Sequence, residues 1–102
     1  MKRIASIQDV SCLGRCSQTV ALPVVSAMGV ECAILPTAVL STHTSFPDFH
    51  CLDLTDQLLP VARHWKAQGV RFDALYTGYL ASDRQVAVVL ELLELLREEG
   101  TL

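Results

Sequence analysis

Ile4-Ala5-Ser6-Ile7-Gln8-Asp9-Val10-Ser11-Cys12-Leu13-Gly14-Arg15-Cys16-Ser17 is the stretch whose reading decides the fold. Its first four residues form a short apolar run of strand type, and Gln8 to Cys16 is polar and contains a glycine. Ser17 is suited to cap a helix that starts at Gln18. A strand, a loop rich in hydrogen-bonding groups and a helix N-terminus, in that order, form the usual opening of a ligand site in a parallel α/β sheet.

Downstream the same unit recurs. The first helix is expected over Gln18 to Met28, with Val20, Val24 and Met28 on its buried face, Pro23 kinking it and Gly29 as a left-handed C-cap. Val30 to Leu40 reads as a second buried strand, apolar on both faces, whose pairing Pro36 interrupts. Ser41 to Leu52 is expected to be a polar loop. A second helix follows from Leu54 to Gln68, capped by Asp53 or Thr55 and ended by Gly69, with Leu58, Ala62 and Trp65 as its stripe. Pro60 leaves a start nearer Leu59 as the alternative.

Asp73 to Tyr76 reads as a third short strand leading into Thr77-Gly78-Tyr79. Ser82 and Gln85 have capping-box spacing, and Val86, Val89, Leu90, Leu93 and Leu96 recur at helical period toward Gly100. Leu92 and Leu95 fall outside that stripe, which predicts a third helix apolar on more than one face.

Three βα units predict the α/β class: a parallel sheet with flanking helices and right-handed crossovers. Residues 8–16, 41–49 and 77–83 then meet at the carboxyl edge, where a ligand belongs. Thr101-Leu102 reads as the first step of a fourth strand, so residues 1–102 are expected to be the N-terminal segment of one larger domain.

The chain has 102 residues, 51% of them apolar, and a formal charge of −3. That composition argues for a packed core and against disorder. The scattered Lys and Arg make no basic stripe, so nucleic acid is not the expected partner. No apolar run approaches the roughly 20 residues a membrane span needs, and Met1-Lys2-Arg3 leads into a strand rather than a signal-peptide core; a cytoplasmic protein is expected. The four cysteines are expected to be packed or loop thiols.

Several residues at the predicted edge carry usable chemistry. Asp9 can accept from a ligand hydroxyl or ring N–H, or cap its own loop. Gly14-Arg15-Cys16-Ser17 can present N–H groups and a guanidinium to an anion, or form only a tight turn; it lacks the lysine and second glycine of a Walker A loop. Ser41-Thr42-His43-Thr44 places three hydroxyls and an imidazole in four residues, a dense set even for a solvated loop. Tyr79 can stack on an aromatic ligand or plug the sheet edge. Cys12, Cys16, His43, His50 and Cys51 lack the spacing of a zinc site, and no metal ligand is expected among them.

Ser6-Ile7-Gln8-Asp9, Gly14-Arg15-Cys16-Ser17, Ala21-Leu22-Pro23 to Met28-Gly29, Leu40-Ser41-Thr42-His43-Thr44 and Tyr76-Thr77-Gly78-Tyr79 together resemble the N-terminal part of the pyridoxal kinases, in particular the bacterial pyridoxamine kinase branch. The resemblance covers nearly the whole chain with the motifs in order. It implies a ribokinase-like, Rossmann-like fold and ATP-dependent phosphorylation of the 5′-hydroxyl of pyridoxal, pyridoxine or pyridoxamine in vitamin B6 salvage. By the same resemblance Asp9, where the family commonly has serine, Thr44 and Tyr79 border the B6 ring, with His43 and Cys16 nearby.

ATP, Mg2+ and the catalytic aspartate belong to a later part of the family's fold. The resemblance therefore implies a chain with no catalytic residue of its own and no tightly bound cofactor, and a homo-oligomer. The alternatives are hydroxymethylpyrimidine kinase of thiamine synthesis, whose glycine-rich first loop is not found in Asp9 to Ser17, and a non-catalytic α/β binding module.

Overall fold

The computed structural model describes residues 2–13, 18–78, 80, 82–98 and 101. Four strands and three helices follow one another as β1 (Arg3–Ser11), α1 (Gln18–Ala27), β2 (Glu31–Leu40), β3 (Cys51–Asp53), α2 (Thr55–Ala67), β4 (Ala74–Thr77) and α3 (Asp83–Leu96). They form one sheet in the order β3-β2-β1-β4, with β1 parallel to both β2 and β4 and β3 antiparallel to β2. The predicted α/β class and the parallel βα order are thus observed.

Two strand boundaries differ from expectation. β1 runs to Ser11 rather than ending at Ile7, because Val10 and Ser11 keep pairing with Val39 and Leu40. Gln8 and Ser11 looked like loop residues because they are polar, yet both are buried within the strand. Residues 51–52, expected in the polar loop, pair with Val39 and Leu40 and, with Asp53, close the sheet on that side.

Pro36 sits inside β2 without breaking it. The register advances by two residues on β1, from Gln8 to Val10, while β2 advances by three, from Pro36 to Val39, so a bulge follows the proline. In a parallel ladder alternate residues of a strand turn to alternate neighbours. On β2 the odd-numbered Glu31 donates its N–H to the Lys2 carbonyl on the β1 side, so the even-numbered Pro36 turns away from β1, toward a side where β3 pairing begins only at Ala38. The missing N–H therefore costs no ladder bond.

The core lies on one face of the sheet. Ala5 and Ile7 of β1 and Leu35 of β2 pack with Leu58 and Ala62 of α2, Phe72, and Val89, Leu92 and Leu96 of α3. Leu58, Ala62 and the partly buried Trp65 are the predicted α2 stripe, and the Trp65 and Phe72 rings are 5.4 Å apart. Pro60 is accommodated inside α2, which starts at Thr55; the N-cap is Leu54, without a side-chain cap bond, so neither Asp53 nor Thr55 takes the expected cap position, although Asp53 Oδ1 accepts from the Thr55 N–H at 2.7 Å. Gly29 and Gly69 follow α1 and α2 with φ of 78° and 75°, a left-handed conformation that favours glycine.

α3 corrects the predicted stripe. Gln85, Val89, Leu92 and Leu96 are its buried residues, whereas Val86 is exposed and Leu90 is 62% exposed. Ser82 caps the helix, accepting from the Gln85 N–H at 3.1 Å, but the Gln85 side chain turns into the core instead of completing the box.

α1 packs on the opposite face, against β1 and β2. Its expected buried face is also corrected: Val24 is 53% and Met28 74% exposed, because one helix over two strands buries only a narrow stripe. The side chain of Val20 and the expected cap Ser17 lie outside the described residues. Tyr76 of β4 is exposed.

Candidate functional site

β1 and β4 are neighbours whose following helices leave toward opposite faces, α1 to one and α3 to the other. A crevice opens where strand order reverses in this way, at the carboxyl ends of the strands. Three buried glutamines surround this edge: Gln8, Gln18 and Gln85.

Gln8, in β1, lays its side chain against Gly78 just past the end of β4. Its Nε2 donates to Ser6 Oγ at 2.9 Å. Gly78, just past β4, donates its N–H to the Ile7 carbonyl at 3.1 Å. A Cβ on Gly78 would lie 2.7 Å from Gln8 Oε1, 2.8 Å from Cγ and 2.9 Å from Cδ, so the two strand ends approach as closely as they do because residue 78 has no side chain. Gln18, the first residue of α1, donates from Nε2 to the Ser6 carbonyl at 2.6 Å and the Gln8 carbonyl at 3.4 Å. Its Oε1 is the one buried side-chain polar atom among the described residues without a hydrogen-bond partner.

On the other face, Gln85 Nε2 donates to the Thr37 carbonyl at the β2 bulge and to Thr55 Oγ1, both at 3.4 Å. The Thr37 carbonyl also accepts from the Leu54 N–H at 2.9 Å. Thr55 Oγ1 donates to Asp53 Oδ1. These Thr55 bonds, aided by Arg84, hold the Asp53 carboxyl below the ordinary carboxylate range. Arg84 itself pairs with Asp56 on the first turn of α2.

The loops after β1 and β2 are joined. Cys12 N–H donates to the Leu40 carbonyl at 2.8 Å, and His43 N–H to the Leu13 carbonyl at 3.2 Å. His43 Nδ1 accepts from the Ser45 N–H at 3.2 Å, and its ring packs on Phe46 with centroids 4.7 Å apart.

Of the residues singled out by sequence, Asp9 lies half-buried in β1 beside the bulge, His43 is half-buried, and Thr44 is exposed on the joined loop. All three share the carboxyl edge. Cys16 and Tyr79, with Gly14, Arg15 and Ser17, lie outside the described residues. Of the described cysteines, Cys12 and Cys51 are exposed and Cys32 is half-buried, and burial raises the Cys32 thiol pKa. Sequence reasoning missed Gln8, Gln18 and Gln85; the signal was a glutamine beside an apolar strand run or in the first turn of a helix, where an amide can satisfy buried backbone groups.

No three His, Cys, Asp or Glu gather as a metal site among the described residues, and the buried polar side chains described at this edge are amides and hydroxyls. Such a set does not fit Mg2+ or the charge of a triphosphate, which call for carboxylates and cations.

A doubly wound sheet with a polar crevice at its switch point defines an α/β fold of the ligand-binding, Rossmann-like type. Similarity over nearly its whole length to solved kinase structures places the chain in the ribokinase-like family of pyridoxal and phosphomethylpyrimidine kinases. A protein of Bacteroides thetaiotaomicron described as a candidate phosphomethylpyrimidine kinase is 46% identical, with a TM-score of 0.94 over 99% of this chain and 35% of its own. An orthorhombic form of it with pyridoxal superposes with a TM-score of 0.93. Pyridoxal kinase of Lactobacillus plantarum is 35% identical, with a TM-score of 0.85 over 92% of this chain and 34% of its own.

Pyridoxal kinase of Leishmania donovani, in complex with ADP and pyridoxamine, is 21% identical with a TM-score of 0.81 over 99% of this chain and 38% of its own, a likeness of fold. The chain thus spans about a third of the length of these proteins. No family model and no curated protein sequence matches it.

Proposed function

We propose that this chain forms the substrate-side part of a B6 vitamer kinase of the cytoplasm, which transfers the γ-phosphoryl group of ATP to the 5′-hydroxyl of pyridoxal, pyridoxine or pyridoxamine. The observation that carries this reading is the 46% identity to a protein that has a crystal form with pyridoxal. In this reading Asp9, Thr44 and Tyr79 border the pyridine ring, with His43 and Cys16 beside them. Asp9 accepts from a ring or hydroxyl donor, and Thr44 donates or accepts through its hydroxyl. ATP and Mg2+ are held by residues other than those described, and the chain works as part of a homo-oligomer.

A second reading, hydroxymethylpyrimidine kinase, is favoured by the name given to that same Bacteroides protein. Equilibrium binding of pyridoxal and of 4-amino-5-hydroxymethyl-2-methylpyrimidine to the purified chain separates the two. Saturable binding of pyridoxal in preference to the pyrimidine is expected, with no pyridoxal phosphate formed from pyridoxal and Mg-ATP above a no-protein control. Preference for the pyrimidine moves the assignment to the second reading; binding of neither ring overturns both, and robust turnover overturns the assignment of phosphoryl transfer to residues other than these.

A further inference from the structure

The Gln8 side chain occupies an unusual place. It lies at the switch point between β1 and β4, next in sequence to Asp9, and is buried although polar. Its amide is fixed by Ser6 Oγ at 2.9 Å, and Ser6 is itself fully buried. The Gln8 carbonyl is gripped from α1 by Gln18 at 3.4 Å. On its other side three Gln8 atoms fill the space that a Cβ on Gly78 would need. The Gly78 N–H bond to Ile7 at 3.1 Å then sets how far β4 can move from β1.

We infer that Gln8 is a positioning residue: its carboxamide, locked between Ser6 and Gly78, is the spacer that sets the width of the crevice between the ends of β1 and β4. The inference rests on the pyridoxal-site reading for its consequence in binding, but its geometry is independent of the ligand. A binding constellation tolerates displacements of only about 0.5 Å, and residues whose own rotamers are locked by a second set of hydrogen bonds provide that precision. Gln8 acts through the backbone ends on either side of it and need not touch the ring.

The test is a double-substitution cycle on the 102-residue chain with two readouts, urea midpoint and pyridoxal affinity. Gly78→Ala alone drives its new methyl group into the Gln8 side chain and lowers the midpoint. Gln8→Ala removes Cγ, Cδ and Oε1, the atoms in the way, so in that background Gly78→Ala has little further effect on the midpoint. Pyridoxal affinity behaves differently: it falls about tenfold or more in each single variant and stays low in the double variant, because accommodating the methyl group does not restore the spacing.

Additive midpoints overturn the spacer, as does wild-type affinity in the Gln8→Ala or the double variant. A parent chain that does not bind pyridoxal but shows the coupled midpoints overturns the functional reading and leaves the spacer standing.

Discussion

The carboxamide of Gln85, on the first turn of α3, donates to the carbonyl of Thr37 on β2, 48 residues earlier in the chain. The same nitrogen reaches Thr55 at the start of α2, so one side chain ties two helix starts to the strand bulge. It also pins the rotation of α3: with residue 85 turned inward, residues 89, 92 and 96 follow at helical spacing. Replacing Gln85 by leucine leaves the Thr37 carbonyl and Thr55 without this donor. Both groups keep another partner, so thermal or urea denaturation should show a loss of about 0.5–1.5 kcal/mol, and an unchanged midpoint would mean the amide contributes nothing net.

The α3 phase has a direct test. Leu92→Ala, at a fully buried position, should cost about 2–5 kcal/mol. Leu90→Ala, at a position 62% exposed, should change stability by no more than about 0.5 kcal/mol. The reverse order of effects in urea titrations would restore the stripe expected from periodicity.

Asp53 makes stability depend on pH. Its folded-state pKa is lowered from the ordinary 3.8 mainly by the Thr55 bonds, so the unfolded chain takes up the proton first as pH falls. The contribution is therefore fully present above the unfolded value and is lost as pH drops through the lower folded value. Wild type should exceed Asp53→Asn in stability at pH 7, and the gap should close below about pH 4. A gap that widens in acid would contradict the assigned bonds.

Self-association is expected from the surface left open. Leu22, Val24 and Met28 are exposed around a helix with no charged residue, and β4 ends the sheet with Tyr76 exposed. Apolar patches and unpaired strand edges drive association. Sedimentation equilibrium over a concentration series should show dimers or larger species, weakened by Leu22→Ser with Met28→Ser. A monomer at every concentration would show that these faces stay solvated.

Much of the fold was legible in the residues. The strand-loop-helix order, the α2 stripe of Leu58, Ala62 and Trp65, the glycine stops at 29 and 69, the Ser82 cap and the disturbance at Pro36 all depend on local patterns, which act over a few residues and need no knowledge of the rest. The candidate site was legible only as an edge: Asp9, His43 and Thr44 were placed there by the βα order alone.

What the tertiary structure decided were the choices local patterns leave degenerate. α3 carries two overlapping apolar series, and the bond from Gln85 to Thr37 selects the one containing Leu92. α1 looked buried, but a single helix over β1 and β2 leaves Val24 and Met28 in solvent. Gln8 reads as loop because it is polar; it is strand because Ser6, Gln18 and Gly78, separated from it by 2, 10 and 70 residues, converge to satisfy and enclose it. The sequence by itself determined the three helices, the three parallel strands and which loops share an edge, through short-range periodicity and capping, but not the antiparallel strand β3. Helix phase, the reach of β1 and the spacing of the crevice came from buried amides whose partners are distant in the chain, and such partners are chosen only when the whole core closes.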